Sequence, residues 1–151
     1  MSDNKPIKLA ILWHMHQPDY RDPKSGISLS PWVRLRATKD YLDMLLLATE
    51  HENVKVTFNL VPSLLEQFEH DLNGGSDRQL ELTSLDPSQL SETGRKEILA
   101  NCFKCNFENM IKPYSRYLSL HQKWEQSNFG QKSFDFNDDE VRDAQVWSNL
   151  T

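Results

Sequence analysis

The chain has 151 residues, 38% hydrophobic and 26% charged, which is enough for one domain with a real core at the polar end of the soluble range. Its 22 acidic side chains outnumber its 17 lysines and arginines, and a net charge of −5 argues against a general nucleic-acid or anionic-membrane surface. No apolar run approaches the ~20 residues of a membrane span. The first six residues lack the basic end and apolar stretch of a secretion signal, so a cytoplasmic location is the expectation.

Residues 7–13 predict the first strand, and Pro18 prevents the ladder from continuing. His14 and His16 are two apart, so extended backbone turns both to one face and sends Trp13 and Met15 to the other. This places two imidazoles and the Gln17 amide at the exit of a buried strand, where α/β sheets and barrels build their sites. Residues 19–30 predict a loop with turn signals at Asp22-Pro23 and Ser25-Gly26. Ser30 and Pro31 predict the cap and first turn of a helix reaching Glu50, with Leu35, Leu42, Leu45, Leu46 and Thr49 along one side. Its basic residues Arg34, Arg36 and Lys39 are interleaved with apolar ones and predict a solvated face.

Residues 54–58 predict a second strand with Asn59 at its exit. Pro62 opens the next helix on a stripe of Leu64, Leu65, Phe68 and Leu72, and Asn73-Gly74-Gly75 ends it. Residues 7–75 therefore predict a βαβα unit with a parallel strand pair. Residues 76–91 are polar and turn-rich, 92–124 predict helix broken near Pro113, and 125–136 are polar with three phenylalanines. Asn137 and Glu140 form a capping-box pattern before a helix through Val141, Ala144, Val146 and Trp147. Cys102 and Cys105 have C-x-x-C spacing, but no second ligand pair follows at zinc spacing, and a redox pair would start a helix after a strand. Burial as small apolar side chains is the reading that remains for them.

Two parallel strands do not make a stable sheet alone, so the chain reads as the first part of a larger α/β domain. An incomplete sheet would leave strand edges and apolar helix faces uncovered, which predicts self-association or poor solubility of the isolated chain.

The segments Trp13-His-Met-His-Gln-Pro-Asp-Tyr20, Ser30-Pro-Trp-Val-Arg34, Thr38-Lys-Asp-Tyr41 and Thr57-Phe-Asn-Leu-Val-Pro-Ser63 resemble, in order, the N-terminal part of glycoside hydrolase family 57. Arg142-Asp-Ala-Gln-Val-Trp-Ser-Asn-Leu150 is similar to a further segment of it. That family contains α-amylase-like, glucanotransferase-like and branching enzymes. The resemblance implies an α/β fold: a partial, distorted (β/α)7-type TIM barrel with two βα units in residues 7–75 and a mostly helical insertion over 76–151. It implies retaining chemistry on α-glucan-type polysaccharides and no cofactor. The family's Glu nucleophile and Asp acid/base lie in later motifs, so no catalytic residue is identified in this chain.

Retaining hydrolysis needs two carboxyl groups about 5 Å apart, one protonated and one ionised, and the acidic residues show no such pair in sequence. The sugar-binding candidates are His14, His16, Gln17, Trp32 and Asn59. Neutral imidazole offers one donor and one acceptor, an amide offers both, and a Trp13, Trp32 or Tyr20 ring offers an apolar face for a pyranose. Alternatives stand beside each. His14 and His16 have two lesser readings, as satisfied structural histidines or as a metal pair needing Asp19 or Asp22 as a third ligand. Asn59 reads as a helix cap, Trp32 as a packing staple, and Arg34 as one half of a salt bridge. For the chain as a whole, the alternatives are a truncated, non-catalytic product lacking the Glu/Asp pair and a metal-dependent polysaccharide hydrolase or deacetylase.

Overall fold

Two five-residue strands organise the N-terminal half: β1 (Ile11–Met15) and β2 (Val56–Leu60). The computed structural model describes residues 7–129 and 135–150, and the chain divides into two compact units, Met1–Asp77 and Arg78–Thr151. The strands pair in parallel, with Trp13 opposite Phe58, His14 opposite Asn59 and Met15 opposite Leu60. A parallel pair needs a crossover, and here the crossover is helical. α1 (Trp32–Arg36) runs through a π turn at Ala37–Tyr41 into α2 (Leu42–Glu50), and α3 (Pro62–Leu72) follows β2. The strand–helix–strand–helix order and the parallel pair agree with the α/β expectation.

Both strands lie further along than the apolar runs suggest: β1 starts four residues and ends two residues later than expected, and β2 is shifted by two. Ile7 and Leu9 are left outside, almost fully exposed, while His14 and Asn59 enter the ladder. Side-chain pairing across the ladder decides this: a buried Met15 and an edge-to-face Trp13–Phe58 contact with centroids 5.1 Å apart outweigh the polarity of His14 and Asn59, which bond to each other.

The crossover helix also differs from its expected form. Pro31, with φ −82° and ψ 6°, occupies the cap position and no side chain caps it, so Ser30 is not the cap. The Thr38 hydroxyl donates to the Arg34 and Leu35 carbonyls at 3.1 and 3.2 Å, where the helix widens into its π turn. The extra backbone rotation turns Tyr41 and Met44 onto the core of Met15, Val33 and Leu64. Leu42, Leu45 and Leu46, the expected inward stripe, are about half exposed. A comparable exchange occurs on α3: Leu64 is buried and Phe68 packs beside it, but Leu72 is 86% exposed and the polar Gln67 is 1% exposed.

α3 ends in a Schellman motif. The Gly75 N–H donates to the His70 carbonyl at 2.9 Å and the Gly74 N–H to the Asp71 carbonyl at 3.2 Å, with Gly74 at φ +89°. Beyond it, Asp77 is buried and accepts two hydrogen bonds from the Arg34 guanidinium, at 2.5 Å from Nε and 3.3 Å from Nη2. This is the salt bridge that the sequence left open for Arg34.

The second unit is helical: α4 (Arg78–Ser84), a 3-10 turn at Pro87–Gln89, α5 (Glu92–Asn101), a π turn at Phe107–Ile111, α6 (Ser115–Gln126) and α7 (Asp138–Leu150). α4 stands where the sequence predicts only turns. It is held from outside by Gln145 of α7, which donates to the Leu82 and Leu85 carbonyls at 3.0 and 2.9 Å. Leu99, Tyr117, Leu120 and Val141 are almost completely buried and centre a larger core than that of the first unit. The capping box forms as expected: the Glu140 N–H donates to Asn137 Oδ1, and the Asn137 N–H to the Glu140 carboxylate, both at 2.9 Å. Cys102 caps the end of α5 rather than lying inside a helix. It is buried, and that burial, followed by the neighbouring Cys105, pushes its thiol well above the usual range. Residues 130–134 of the expected polar stretch lie outside the described residues. Among the described residues, no helix is long and apolar enough to cross a membrane.

A Cβ at Gly74 would meet nothing within 4 Å, so Gly74→Ala isolates the cost of a left-handed alanine. The expected loss is about 1 kcal/mol of unfolding free energy, read as a lower urea midpoint with an unchanged slope.

Candidate functional site

The ladder builds a polar rim. His14 of β1 and Asn59 of β2 are register partners, and His14 Nδ1 lies 2.9 Å from Asn59 Oδ1. The amide oxygen only accepts, so Nδ1 carries the proton of that bond. In the neutral ring this leaves the lone pair on Nε2. Alternation brings His16 to the same side, where its ring stacks on that of His14 with centroids 5.7 Å apart and planes 15° from parallel. Both histidines and Asn59 are exposed, while Met15 between the histidines is buried. The predicted two-face pattern is therefore present at this strand end.

Past Met15 the chain leaves the ladder, and its polar groups find side-chain partners. Gln17 Nε2 donates to the Tyr41 hydroxyl at 2.9 Å, and the Tyr20 hydroxyl donates to Gln17 Oε1 at 2.8 Å. Burial, then the nearby Tyr41, pushes the Tyr20 phenol above its ordinary range, which keeps it a proton donor. Ser63 Oγ donates to the Gln17 carbonyl at 2.9 Å. Gln67 Nε2 donates to the Pro18 and Ser63 carbonyls at 2.9 and 2.8 Å, and Gln67 Oε1 accepts from the Tyr20 N–H at 3.0 Å.

Three of the five predicted residues, His14, His16 and Asn59, are thus directly in contact at one strand end. Gln17 adjoins them through the chain, with each end of its amide engaged by a tyrosine. Trp32 stands apart at the start of α1, 41% exposed, with the Arg36 guanidinium 5.8 Å from its ring centroid. No hydrogen bond or ring contact among the described residues joins it to the histidine pair. Trp13 and Tyr20 are spent on internal contacts, leaving Trp32 as the exposed indole of that group.

The loop carboxylates are committed locally. Asp19 accepts from Arg21 Nε at 2.9 Å, from Nη2 at 2.7 Å and from the Arg21 N–H at 3.0 Å. These hydrogen bonds, foremost the side-chain ones, hold its carboxyl at about 2 against an ordinary 3.8. Asp22 accepts from the Ser25 hydroxyl at 2.8 Å and the Ser25 N–H at 3.0 Å, closing a turn that Gly26 completes at φ +74°. Neither carboxylate is placed as the third ligand of a histidine metal pair, and among the described residues no three His, Cys, Asp or Glu side chains converge as a metal site. A cavity of about 550 Å³ lies elsewhere in the unit, lined by Arg21, Glu66, Glu69, His70 and Asn73 but by none of the rim residues.

Sequence reasoning missed Tyr41, Ser63 and Gln67. Tyr41 and Ser63 lie within the quoted motifs, which was the available signal. Gln67 carried none, because a single amide in an amphipathic helix reads as a solvated residue.

The profile of Glycosyl hydrolase family 57 matches residues 10–149, nearly the whole chain. The chain belongs to glycosyl hydrolase family 57. No curated protein and no solved structure matches it. Membership makes the chain a glycoside hydrolase by family, assigns it in general to glycoside hydrolysis or glucanotransfer, and points to a carbohydrate as its substrate.

The depressed Asp19 pKa has a definite sign. Its stabilising contribution is complete above the unfolded value of 3.8 and is lost as pH falls toward 2. Arg21→Ala is expected to return the Asp19 carboxyl toward 3.8, measured by carboxyl-carbon NMR titration. A midpoint still near 2 would mean that Arg21 is not the cause.

Proposed function

We propose that the rim formed by His14, His16, Gln17 and Asn59, with Trp32 as an apolar ring, binds a sugar unit of an α-glucan-type substrate in a retaining glycoside hydrolase or glucanotransferase. The observation that carries this reading is the His14–Asn59 pair. It uses Nδ1 internally, which leaves the Nε2 of an exposed ring to accept from a sugar hydroxyl. The stacked His16 ring adds a second nitrogen pair on the same face, with donor and acceptor capacity that suits vicinal hydroxyls.

In this reading β1, β2 and their helices are two βα units of a distorted (β/α)7-type barrel, the rim is at the carboxyl end of its strands, and residues 76–151 are a helical insertion in that one domain. The parallel order of β1 and β2 supports the first point, and the position of His16 just past β1 supports the second. The catalytic Glu and Asp belong to the family's later motifs, and the rim orients the glycosyl unit for them. A cytoplasmic location fits this role.

The half-exposed Leu42, Leu45, Leu46 and Leu47 of α2 support self-association of the isolated chain. Light scattering is expected to give a mass above one chain that rises with concentration. A concentration-independent monomer would remove this part of the proposal.

The binding test is titration with maltoheptaose followed by histidine and asparagine side-chain NMR. Wild type is expected to show shifts at His14, His16 and Asn59. His14→Ala and Asn59→Ala are each expected to weaken binding about 3- to 10-fold, the worth of one neutral hydrogen bond. Equal affinity in all three proteins would overturn the assignment of the rim.

A further inference from the structure

Resting on the reading of the rim as a sugar site, we propose that Gln67 is a positioning residue: it locks the main chain of the Gln17–Tyr20 segment, and through it the angle at which His16 and Gln17 are presented to substrate. It touches neither histidine and acts only through the backbone.

The physical case begins with burial. Gln67 is 1% exposed, in a unit whose exposed positions include Leu65 and Leu72 on the same helix. Burying an amide while apolar neighbours face water is unfavourable unless the amide is satisfied. Gln67 is satisfied at both ends: Nε2 donates to the Pro18 carbonyl and to the Ser63 carbonyl one turn back, and Oε1 accepts from the Tyr20 N–H. The Ser63 bond holds the side chain against its own helix, which leaves the other two aimed at fixed points of the loop.

Both points lie on the segment that directly follows His16 and Gln17. The ladder ends at Met15 and Pro18 has no N–H with which to resume it, so the Gln17 and Pro18 carbonyls and the Tyr20 N–H have no strand partner. Ser63 takes the Gln17 carbonyl and Gln67 takes the Pro18 carbonyl and the Tyr20 N–H, all from one face of α3 four residues apart. Anchoring Tyr20 by its backbone also fixes where its hydroxyl meets the Gln17 amide. Losing Gln67 would therefore free two backbone groups and the phenol that orients Gln17, while leaving the apolar contacts of Met15, Val33 and Leu64 in place. A merely structural role would lower stability without moving the histidines. A positioning role moves them in a protein that is still folded.

The experiment compares wild type with Gln67→Met, which keeps length and volume but loses all three bonds, and with Ser63→Ala, which removes one neighbouring anchor. Tyr20 amide hydrogen exchange and the His14 and His16 ring resonances are read by NMR, and maltoheptaose affinity is measured on the same samples. The indole signals report that the protein is folded: Trp13, packed on Phe58 across the ladder, for the first unit, and Trp124 and Trp147 for the second. In Gln67→Met, Tyr20 exchange is expected to quicken by about 10-fold or more, the His16 ring signals to shift, the indole signals to stay, and glucan affinity to fall about 10-fold. Ser63→Ala is expected to give smaller changes in the same direction, and it serves as the deciding variant if Gln67→Met unfolds. Unchanged Tyr20 exchange, or unmoved histidine signals with faster exchange, would overturn the positioning role. Moved histidine signals in a protein that binds no maltoheptaose in any form would uphold the positioning role and sink the sugar-site reading instead.

Discussion

The parallel register of β1 and β2 is the constraint on which the first unit depends. Setting Met15 opposite Leu60 fixes His14 opposite Asn59. Because side chains alternate with a period of two, a one-residue slip would bury the histidines and expose Met15. Met15 belongs to a small core with Val33 and Leu64, so the same contact that holds the sheet to its helices also decides which face the imidazoles take. Stability and site geometry are set here by one pairing.

The loop after β1 shows how a chain leaves a sheet without abandoning its polar groups. The ladder ends at Met15, Pro18 keeps it from resuming, and the Gln17 and Pro18 carbonyls and the Tyr20 N–H are met by Ser63 and Gln67 side chains rather than by another strand. Side-chain bonds specify angle as well as distance. They therefore hold a site more narrowly than apolar packing would, at the cost of burying an amide. The Arg34–Asp77 pair serves a similar end further out. A buried carboxylate accepts two bonds from one guanidinium and fastens α1 to the chain that follows α3.

The second unit is built differently. Its helices surround Leu99, Tyr117, Leu120 and Val141, and polar side chains such as Gln145 and Arg95 reach main-chain carbonyls between helices. Tyr117 stacks on Trp147 with centroids 4.8 Å apart and planes 3° from parallel, and its hydroxyl donates to the Cys102 carbonyl. The cysteine pair is absorbed by this packing. The Sγ of the half-buried Cys105 lies 3.6 Å from the Tyr117 hydroxyl, and the neighbouring Cys102 is buried.

The sequence by itself determined the order of strands and helices in the first unit, the face shared by His14 and His16, the glycine stop after α3, the capping box at Asn137, and the family. Each of these is written in local chemistry: a period of two, a proline that lacks an N–H, a glycine free to adopt positive φ, a cap residue spaced three from a glutamate. Only the tertiary structure decided that Tyr41 and Met44 rather than Leu42 and Leu45 face the core, that Gln67 is buried while Leu72 is not, that α4 is a helix, and that Gln17 is tied between two tyrosines while Trp32 stands apart. Those outcomes depend on partners distant in sequence. A π turn rotates a helix face, a buried amide is tolerated only where backbone groups across the fold can satisfy it, and a weak helix forms where another helix supplies its missing bonds.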